Sequence, residues 1–335
     1  MLVESLRRQL TNRGYQVDVV SLPFKWYPKE EIIKHALAWR LLDLTESNGR
    51  PIDLVIATKF PSYLVRHPRK VTWLVHQFRQ AYDLYGTAFG DLGHTEEDLR
   101  IVELVRRMDG VGLGESRAVY TIADNVSRRL AQNNAIAGST LYPPPPLERA
   151  YRCSQYGDYI LSVGRLEPIK RVDLLIKAMA HIKGDLRCVI AGDGPDRERL
   201  EAIVHDFSKA YPGRDLENRI QFMGYVSDDT LVDLYANCFS VFYAPYDEDY
   251  GYVTLEAFMS QKPVVTTHDS GGVLEFVRDG VTGVVALPDP ESIASKIEEL
   301  YSRRDACAAF GAAGYESVKA ITWDKTIDAL LSSAL

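Results

Sequence analysis

Short β-branched and aromatic runs alternate with stretches of helical periodicity along most of the chain, the pattern of parallel sheets joined by crossover helices. In the first half, "YQVDVVSL", "IDLVIAT", "VTWLVHQ" and "GVGLGES" read as strands or strand ends, and "KEEIIKHALAWRLLDLTESNG" reads as a helix stopped by Gly49. A second series opens at "DYILSVG" and continues through "LRCVIAG", "IQFMGYV", "SVFYAP", "PVVTT" and "TGVVAL". Between these lie the helical stretches "RVDLLIKAMAHI", "DRERLEAIVHDFSKA", "SDDTLVDLYANC" and "YVTLEAFMS". The pattern predicts an α/β protein with two Rossmann-like sheets in tandem. Four successive prolines, Pro143 to Pro146, fit neither a helix nor a central strand. They place a first domain over residues 1–142, a proline-rich linker over 143–156 and a second domain over 157–320. The final segment, 321–335, carries one more helix, "TWDKTIDALLSSAL", with no strand after it.

The opening departs from type. A doubly wound domain normally begins with a strand whose carboxyl end supplies the first glycine-rich turn, whereas this chain begins on the helix "MLVESLRRQLTNRG", and its first strand signal is at Val17. The first domain is therefore expected to lack its first strand. Losing a central strand exposes hydrogen-bonding edges that proteins normally cover. The expectation is a longer functional form that starts about thirty residues earlier, with a strand and a glycine-containing turn.

A length of 335 residues at 46% hydrophobic content suits two cores. Lysine and arginine number 39 against 46 acidic residues, a net charge of −7 with the signs interspersed, so no long positive face is available to a nucleic-acid backbone. Cys153, Cys188, Cys238 and Cys307 lie far apart, without the spacing of a zinc site or a disulfide framework, and read as small buried hydrophobes in a reducing compartment. The start has no signal-peptide pattern, and no apolar run approaches the roughly twenty residues of a membrane span. A cytoplasmic protein is expected, with peripheral contact at the inner membrane surface left open. Oligomeric state leaves no trace in the sequence.

Ligands of open α/β sheets bind beyond the carboxyl ends of the strands, and in the second domain those loops gather cations, glycines and carboxylates. "RLEPIKR" follows the first strand, "DGPDR" the second, "YDEDYG" the fourth and "HDSGG" the fifth. Arg165 and Lys170 offer a forked donor and a compact point charge suited to a diphosphate; the alternative is a pair of solvated surface cations. Gly192 and Gly194 in "GDGP" lack the third glycine of a dinucleotide fingerprint but allow a ligand to approach backbone. Gly271 and Gly272 can expose N–H groups to an anion, and "SGG" is also a common turn. Glu248 and Glu256 do not share a helix face, because Gly251 intervenes and eight residues of helix rotate them nearly a quarter-turn apart. Glu256, inside a helix, suits the two vicinal hydroxyls of a ribose, and Glu248, in the loop, lies nearer to whatever hangs beyond the phosphates. The backbone N–H groups of Tyr250, Gly251 and Tyr252 open a helix toward an oxygen-rich ligand.

Taken together, "GRLEPIKRVDLLIKA", "AGDGP", "FMGYV", the E-x7-E element "EDYGYVTLE" and "KPVVTT" with "SGGVLEFV" resemble, in order and spacing, the retaining glycosyltransferases of family four. The resemblance covers nearly the whole chain. It implies the GT-B architecture, two Rossmann-like domains with a cleft between them, in which the terminal helix crosses back to the first domain. It also implies transfer of a sugar from a nucleotide diphosphate sugar, UDP- or GDP-linked, to a glycan, lipid-linked or small-molecule acceptor, with retention of configuration. No cofactor or metal is then required. Arg165 and Lys170 would hold the diphosphate, Glu256 the ribose, and Glu248 with the Gly251 region the transferred sugar. Tyr225 and Val226 would meet the base through backbone, and His76 in "WLVHQF" would line the acceptor and sugar side. Arg171 stands where the family often has glycine, and Tyr250 where phenylalanine is common. The absent N-terminal strand leads to the expectation that this chain binds nucleotide but transfers sugar poorly. Alternatives are a non-catalytic sugar-nucleotide binder or assembly subunit, a sugar-nucleotide epimerase, or a phosphorylase, for which no cofactor lysine is found by motif.

Overall fold

The computed structural model describes residues 2–333 and divides into two compact units: residues 1–146 with 321–335, and residues 147–320. The first unit begins with helix α1 (Leu2–Thr11) and, after a long irregular stretch, α2 (Glu31–Leu41). Contrary to expectation, "VDVVS" forms no strand. Val19 and Val20 are about half exposed, and β-branched residues become a strand only when a neighbouring strand supplies partners. Nor does α2 run on to Gly49. It stops at Leu41, and Asn48 and Gly49, both at positive φ (52° and 73°), turn a small antiparallel hairpin of β1 (Glu46–Ser47) and β2 (Arg50–Pro51), the geometry that the Asn-Gly pair favours.

The sheet of this unit is parallel, in the order β3 (Val55–Ala57), β4 (Lys70–Leu74), β5 (Ala118–Thr121), β6 (Ser139–Thr140). Helix α3 (Glu96–Gly114) precedes β5, and α4 (Asp124–Asn134) follows it. "GVGLGES" is thus helix end rather than strand. Gly112 is buried against Leu64, whose Cδ2 would lie 2.5 Å from an added Cβ. The ammonium of buried Lys70 binds the carbonyls of Gly112 and Tyr63 at 2.7 Å and that of Val65 at 3.0 Å, satisfying one of the carbonyls that a helix end leaves open. Burial lowers the Lys70 pKa to about 8.

In the second unit the sequence pattern and the structure coincide. Strands β7 (Tyr159–Val163), β8 (Arg187–Ala191), β9 (Ile220–Gly224), β10 (Ser240–Phe242), β11 (Val264–Thr267) and β12 (Gly283–Ala286) form one parallel sheet in the order β12-β11-β10-β7-β8-β9. Numbered within the unit this is the doubly wound order 6-5-4-1-2-3, whose switch point lies between its first and fourth strands, here β7 and β10. Helices α5 (Val172–His181), α6 (Arg197–Ala210), the short α7 (Leu216–Arg219), α8 (Asp228–Asn237) and α9 (Tyr252–Met259) connect the strands, and α10 (Pro290–Ser302) and α11 (Arg304–Val318) follow them. Ile160, Cys188, Ile190, Phe242 and Val265 from the sheet pack with Leu175, Met179 and Ile297 from the helices in one core. Cys188, Cys238 and Cys307 are buried free thiols as expected, but Cys153 is only half-buried, with the Lys262 ammonium 3.3 Å from its sulfur. No helix among the described residues is long and apolar enough to cross a membrane.

The last helix, α12 (Trp323–Ser332), belongs to the first unit; the expected helical run also takes in residues 334–335, which lie outside the described residues. Trp323 stands edge-on to the fully buried Trp73 with centroids 6.2 Å apart, the Tyr120 hydroxyl donates to the Ala329 carbonyl at 3.1 Å, and Arg13 pairs with Asp324.

Buried Asp109 on α3 accepts a hydrogen bond from Tyr82 at 2.8 Å through Oδ2, and the buried Tyr63 hydroxyl also faces it. Burial pushes its carboxyl up to about 7, the Tyr82 hydrogen bond only partly opposing it. A raised acid keeps its proton more tightly folded than unfolded. Its contribution is therefore complete below the ordinary value of 3.8 and is lost as pH rises through about 7, at about 1.4 kcal/mol per pH unit in that window. Asp109→Asn is expected to flatten this slope. All four tryptophans (Trp26, Trp39, Trp73, Trp323) lie in the first unit, so urea unfolding followed by tryptophan fluorescence at pH 4.5 to 7.5 reads that unit, and an unchanged slope in the variant would refute the assignment.

Candidate active site

The sequence-predicted residues of the second unit converge at the carboxyl end of its sheet. A small cleft there, at the switch point, is lined by Gly164, Arg165 and Lys170 from the loop after β7, and by Phe242 and Tyr243 at the end of β10. Arg165 extends into solvent and pairs with Glu167 at 3.0 Å. Lys170 ion-pairs with Glu248, and Tyr243 donates to the same Glu248 oxygen at 2.8 Å. The buried Tyr243 hydroxyl is held well above its ordinary pKa, by burial first and by the Glu248 charge second, so it acts as a donor. One cation, one carboxylate and one phenol thus form a compact cluster, of which the sequence reading had the first two and missed Tyr243.

Glu256 sits inside α9 and is almost fully buried. The Tyr235 hydroxyl donates to its Oε2 at 2.8 Å. Burial raises the carboxyl's pKa, and hydrogen bonds from Tyr235 and Tyr151 oppose the rise. A buried carboxylate surrounded by hydroxyl donors is suited to accept further hydroxyls, since each one repays part of the cost of desolvating it. Tyr151 and Tyr235 carried no signal in the sequence beyond being aromatic.

Gly192 and Gly194 also answer a packing requirement. An added Cβ at Gly192 would lie 1.9 Å from the Gly164 carbonyl oxygen, and one at Gly194 would lie 2.3 Å from that of Leu166. Their amides are engaged as well, Gly192 N–H with Gly224 O at 2.8 Å and Gly194 N–H with Asp193 Oδ1 at 2.8 Å. What these glycines admit is the neighbouring loop that carries Arg165. Tyr225 is 87% exposed and Val226 half-buried, in the loop after β9. The Tyr250 ring is buried against Tyr252 and Phe276, with centroids 5.3 and 5.8 Å away. Gly251, at φ 84°, begins α9 with no room for a side chain, since a Cβ would meet the Tyr243 ring at 2.8 Å. His76 belongs to the first unit, after β4, with Nδ1 2.6 Å from the Gln77 carbonyl oxygen.

Residues 153–317 match the family described as "Glycosyl transferases group 1". The second unit is a group 1 glycosyl transferase domain. Among relatives, alpha-1,3/1,6-mannosyltransferase ALG2 of Homo sapiens is 32% identical over 170 residues, 48% of this chain and 40% of that protein. D-inositol 3-phosphate glycosyltransferase of Mycolicibacterium gilvum is 32% identical over 230 residues, 68% of this chain and 46% of that protein. The matches thus span less than half of these relatives' own lengths. Sucrose-phosphate synthase from Thermosynechococcus elongatus superposes with a TM-score of 0.76 at 18% identity, covering 98% of this chain and 91% of that one. Anabaena HepE, solved with UDP and glucose, superposes with a TM-score of 0.69 at 19% identity, covering 97% and 88%. The fold over the whole chain is that of the two-domain GT-B enzymes.

In this glycosyl transferase domain the loop after β10 is stitched to the loop after β11. Asp247 N–H bonds Asp269 O at 2.9 Å, Glu248 N–H bonds Ser270 O at 3.3 Å, and Gly272 N–H bonds Glu248 O at 2.7 Å. Gly271 adopts φ 61°, ψ −125°, a region open essentially only to glycine, and a Cβ there would lie 2.7 Å from both the nitrogen and the oxygen of Glu248. Gly271→Ala is expected to destabilise the protein by about 1–3 kcal/mol, measured by calorimetry; a neutral substitution would show that the two loops do not need this approach.

Proposed function

We propose that the chain is a retaining glycosyltransferase that moves a sugar from a UDP- or GDP-linked donor to an acceptor hydroxyl in glycan, polysaccharide or glycolipid synthesis, without a metal ion. The observation that carries this reading is the meeting of Lys170, Tyr243 and Glu248 at the switch point of a group 1 domain. The relatives named as mannosyl- and glycosyltransferases support the reaction class, and HepE, solved with UDP and glucose, supports a nucleotide-linked donor.

In this reading Arg165 and Lys170 take the diphosphate and stabilise the charge that grows on it as the glycosidic bond breaks. Glu256 accepts the ribose hydroxyls with the capacity that Tyr235 and Tyr151 leave. The backbone at Tyr225 and Val226 meets the base, and the N–H groups from Tyr250 to Tyr252 face the sugar with Glu248. Lys170 exchanges Glu248 for phosphate oxygens, so donor binding itself releases the carboxylate toward the sugar hydroxyls. His76 is assigned to the acceptor and sugar side on the family resemblance.

Thermal shift with UDP, GDP and ADP identifies the base, since a ligand that binds only the folded state raises stability. Glu248→Gln is expected to abolish transfer and leave nucleotide affinity within a few-fold, whereas Glu256→Ala weakens nucleotide binding by about 1.4 kcal/mol or more, tenfold or greater. Titration calorimetry alongside a donor-turnover assay separates the two, and equal loss of nucleotide affinity in both variants would overturn the division of roles. Turnover is expected to persist in excess chelator; strict dependence on manganese or magnesium would exclude the metal-free mechanism.

A further inference from the structure

Arg171 directly follows Lys170 and occupies the left-handed region at φ 51°, ψ 39°, where a side chain strains the backbone and glycine does not. Strain of this kind persists when the surroundings over-determine it. Here they do, through the side chain itself, which is largely buried. Nη1 and Nη2 donate in parallel to the two Asp269 oxygens, each at 2.7 Å, the bidentate fork that only arginine supplies. Nη2 also reaches Thr267 Oγ1 at 2.9 Å and the Pro245 carbonyl at 3.0 Å, and Nε reaches the Ala244 carbonyl at 2.8 Å. One guanidinium therefore binds the end of β10, the start of the loop that carries Glu248, and the loop after β11. Asp269 is itself anchored by Thr267, whose hydroxyl donates to it at 2.8 Å.

The contacts continue to Glu248 through backbone. The Asp269 carbonyl accepts from Asp247 N–H, the next residue, Ser270, accepts from Glu248 N–H, and Tyr246 N–H bonds the Ile169 carbonyl at 2.9 Å. Each of these backbone bonds lies within three residues of Arg171 or of one of its contacts. We propose that Arg171 is the positioning residue of this site: clasped to Asp269, it locks the loops after β10 and β11 together and so sets the place of Glu248. It touches neither Lys170 nor Glu248 through its side chain in any hydrogen bond described above, so it acts through the loops and not on the reacting atoms.

Arg171→Gly removes the clasp while suiting the backbone conformation, and Asp269→Asn removes the carboxylate while keeping its shape. Hydrogen exchange of the ligand-free protein is expected to accelerate by about tenfold or more in segment 245–250 in both variants, with β7, β8 and β11 unchanged, as for a local opening. That readout does not depend on the function proposed above. The kinetic readout rests on that reading: with a donor that the parent protein turns over, kcat is expected to fall by about tenfold or more while donor KM stays within a few-fold, because a misplaced group loses rate more than binding. Unchanged exchange in 245–250, or acceleration spread evenly over the whole second unit, would overturn the positioning role. A loss confined to KM would overturn it as well. If the exchange result holds and no nucleotide sugar is turned over by the parent protein, the clasp stands and the glycosyltransferase reading fails.

Discussion

The carboxyl edge of the second sheet depends on two stretches of backbone lying closer than side chains permit. Gly271 and Gly272 bring the loop after β11 against residues 247–249, and a Cβ at either would fall 2.7 Å or less from main-chain atoms there. That approach allows the cross-loop amide bonds to form, and those bonds hold Glu248 where Lys170 and Tyr243 reach it. The same device recurs at the neighbouring strand pair, β7 and β8, where Gly192 and Gly194 admit the backbone of Gly164 and Leu166. The glycines of this edge pack loop against loop.

Much of this was legible in the sequence. Parallel strands buried on both faces read as continuous apolar runs, as five strands of the second unit do, and the edge strand β9, with Gln221 and Met223 exposed, was legible too, as were the loops that bear Arg165, Lys170 and Glu248 and the helix that bears Glu256. What escaped was set by partners distant in sequence. Tyr243 and Tyr235 look like core aromatics until their hydroxyls are seen on Glu248 and Glu256, and Arg171 meets Asp269 across 98 residues of chain. In the first unit the errors have the same origin. "VDVVS" has strand composition but pairs with no strand among the described residues, and "GVGL" has strand-like brevity but belongs to a helix whose end is held by Lys70, 42 residues earlier. Asn48-Gly49 was a local signal that was misread: a helix stop in composition, a two-residue hairpin turn in conformation.

The burial of Asp109 and Lys70 shows two ways of keeping a titratable group inside one small unit. The Lys70 ammonium donates to three carbonyls, whereas the Asp109 carboxyl is met by the Tyr82 and Tyr63 phenols, which only partly oppose the rise that burial imposes on its pKa.

The ion pair between Lys170 and Glu248 bears on selectivity. With Glu167 beside Arg165 as well, the cations of this edge carry their own counter-ions, so a small inorganic anion gains little from the field around them and would leave a partly buried carboxylate short of a donor. A ligand favoured at this pair must bring negative charge for the ammonium and hydroxyl protons for the glutamate in one molecule. On the function proposed above, this resting ion pair favours a ligand that carries both kinds of group over a bare inorganic anion.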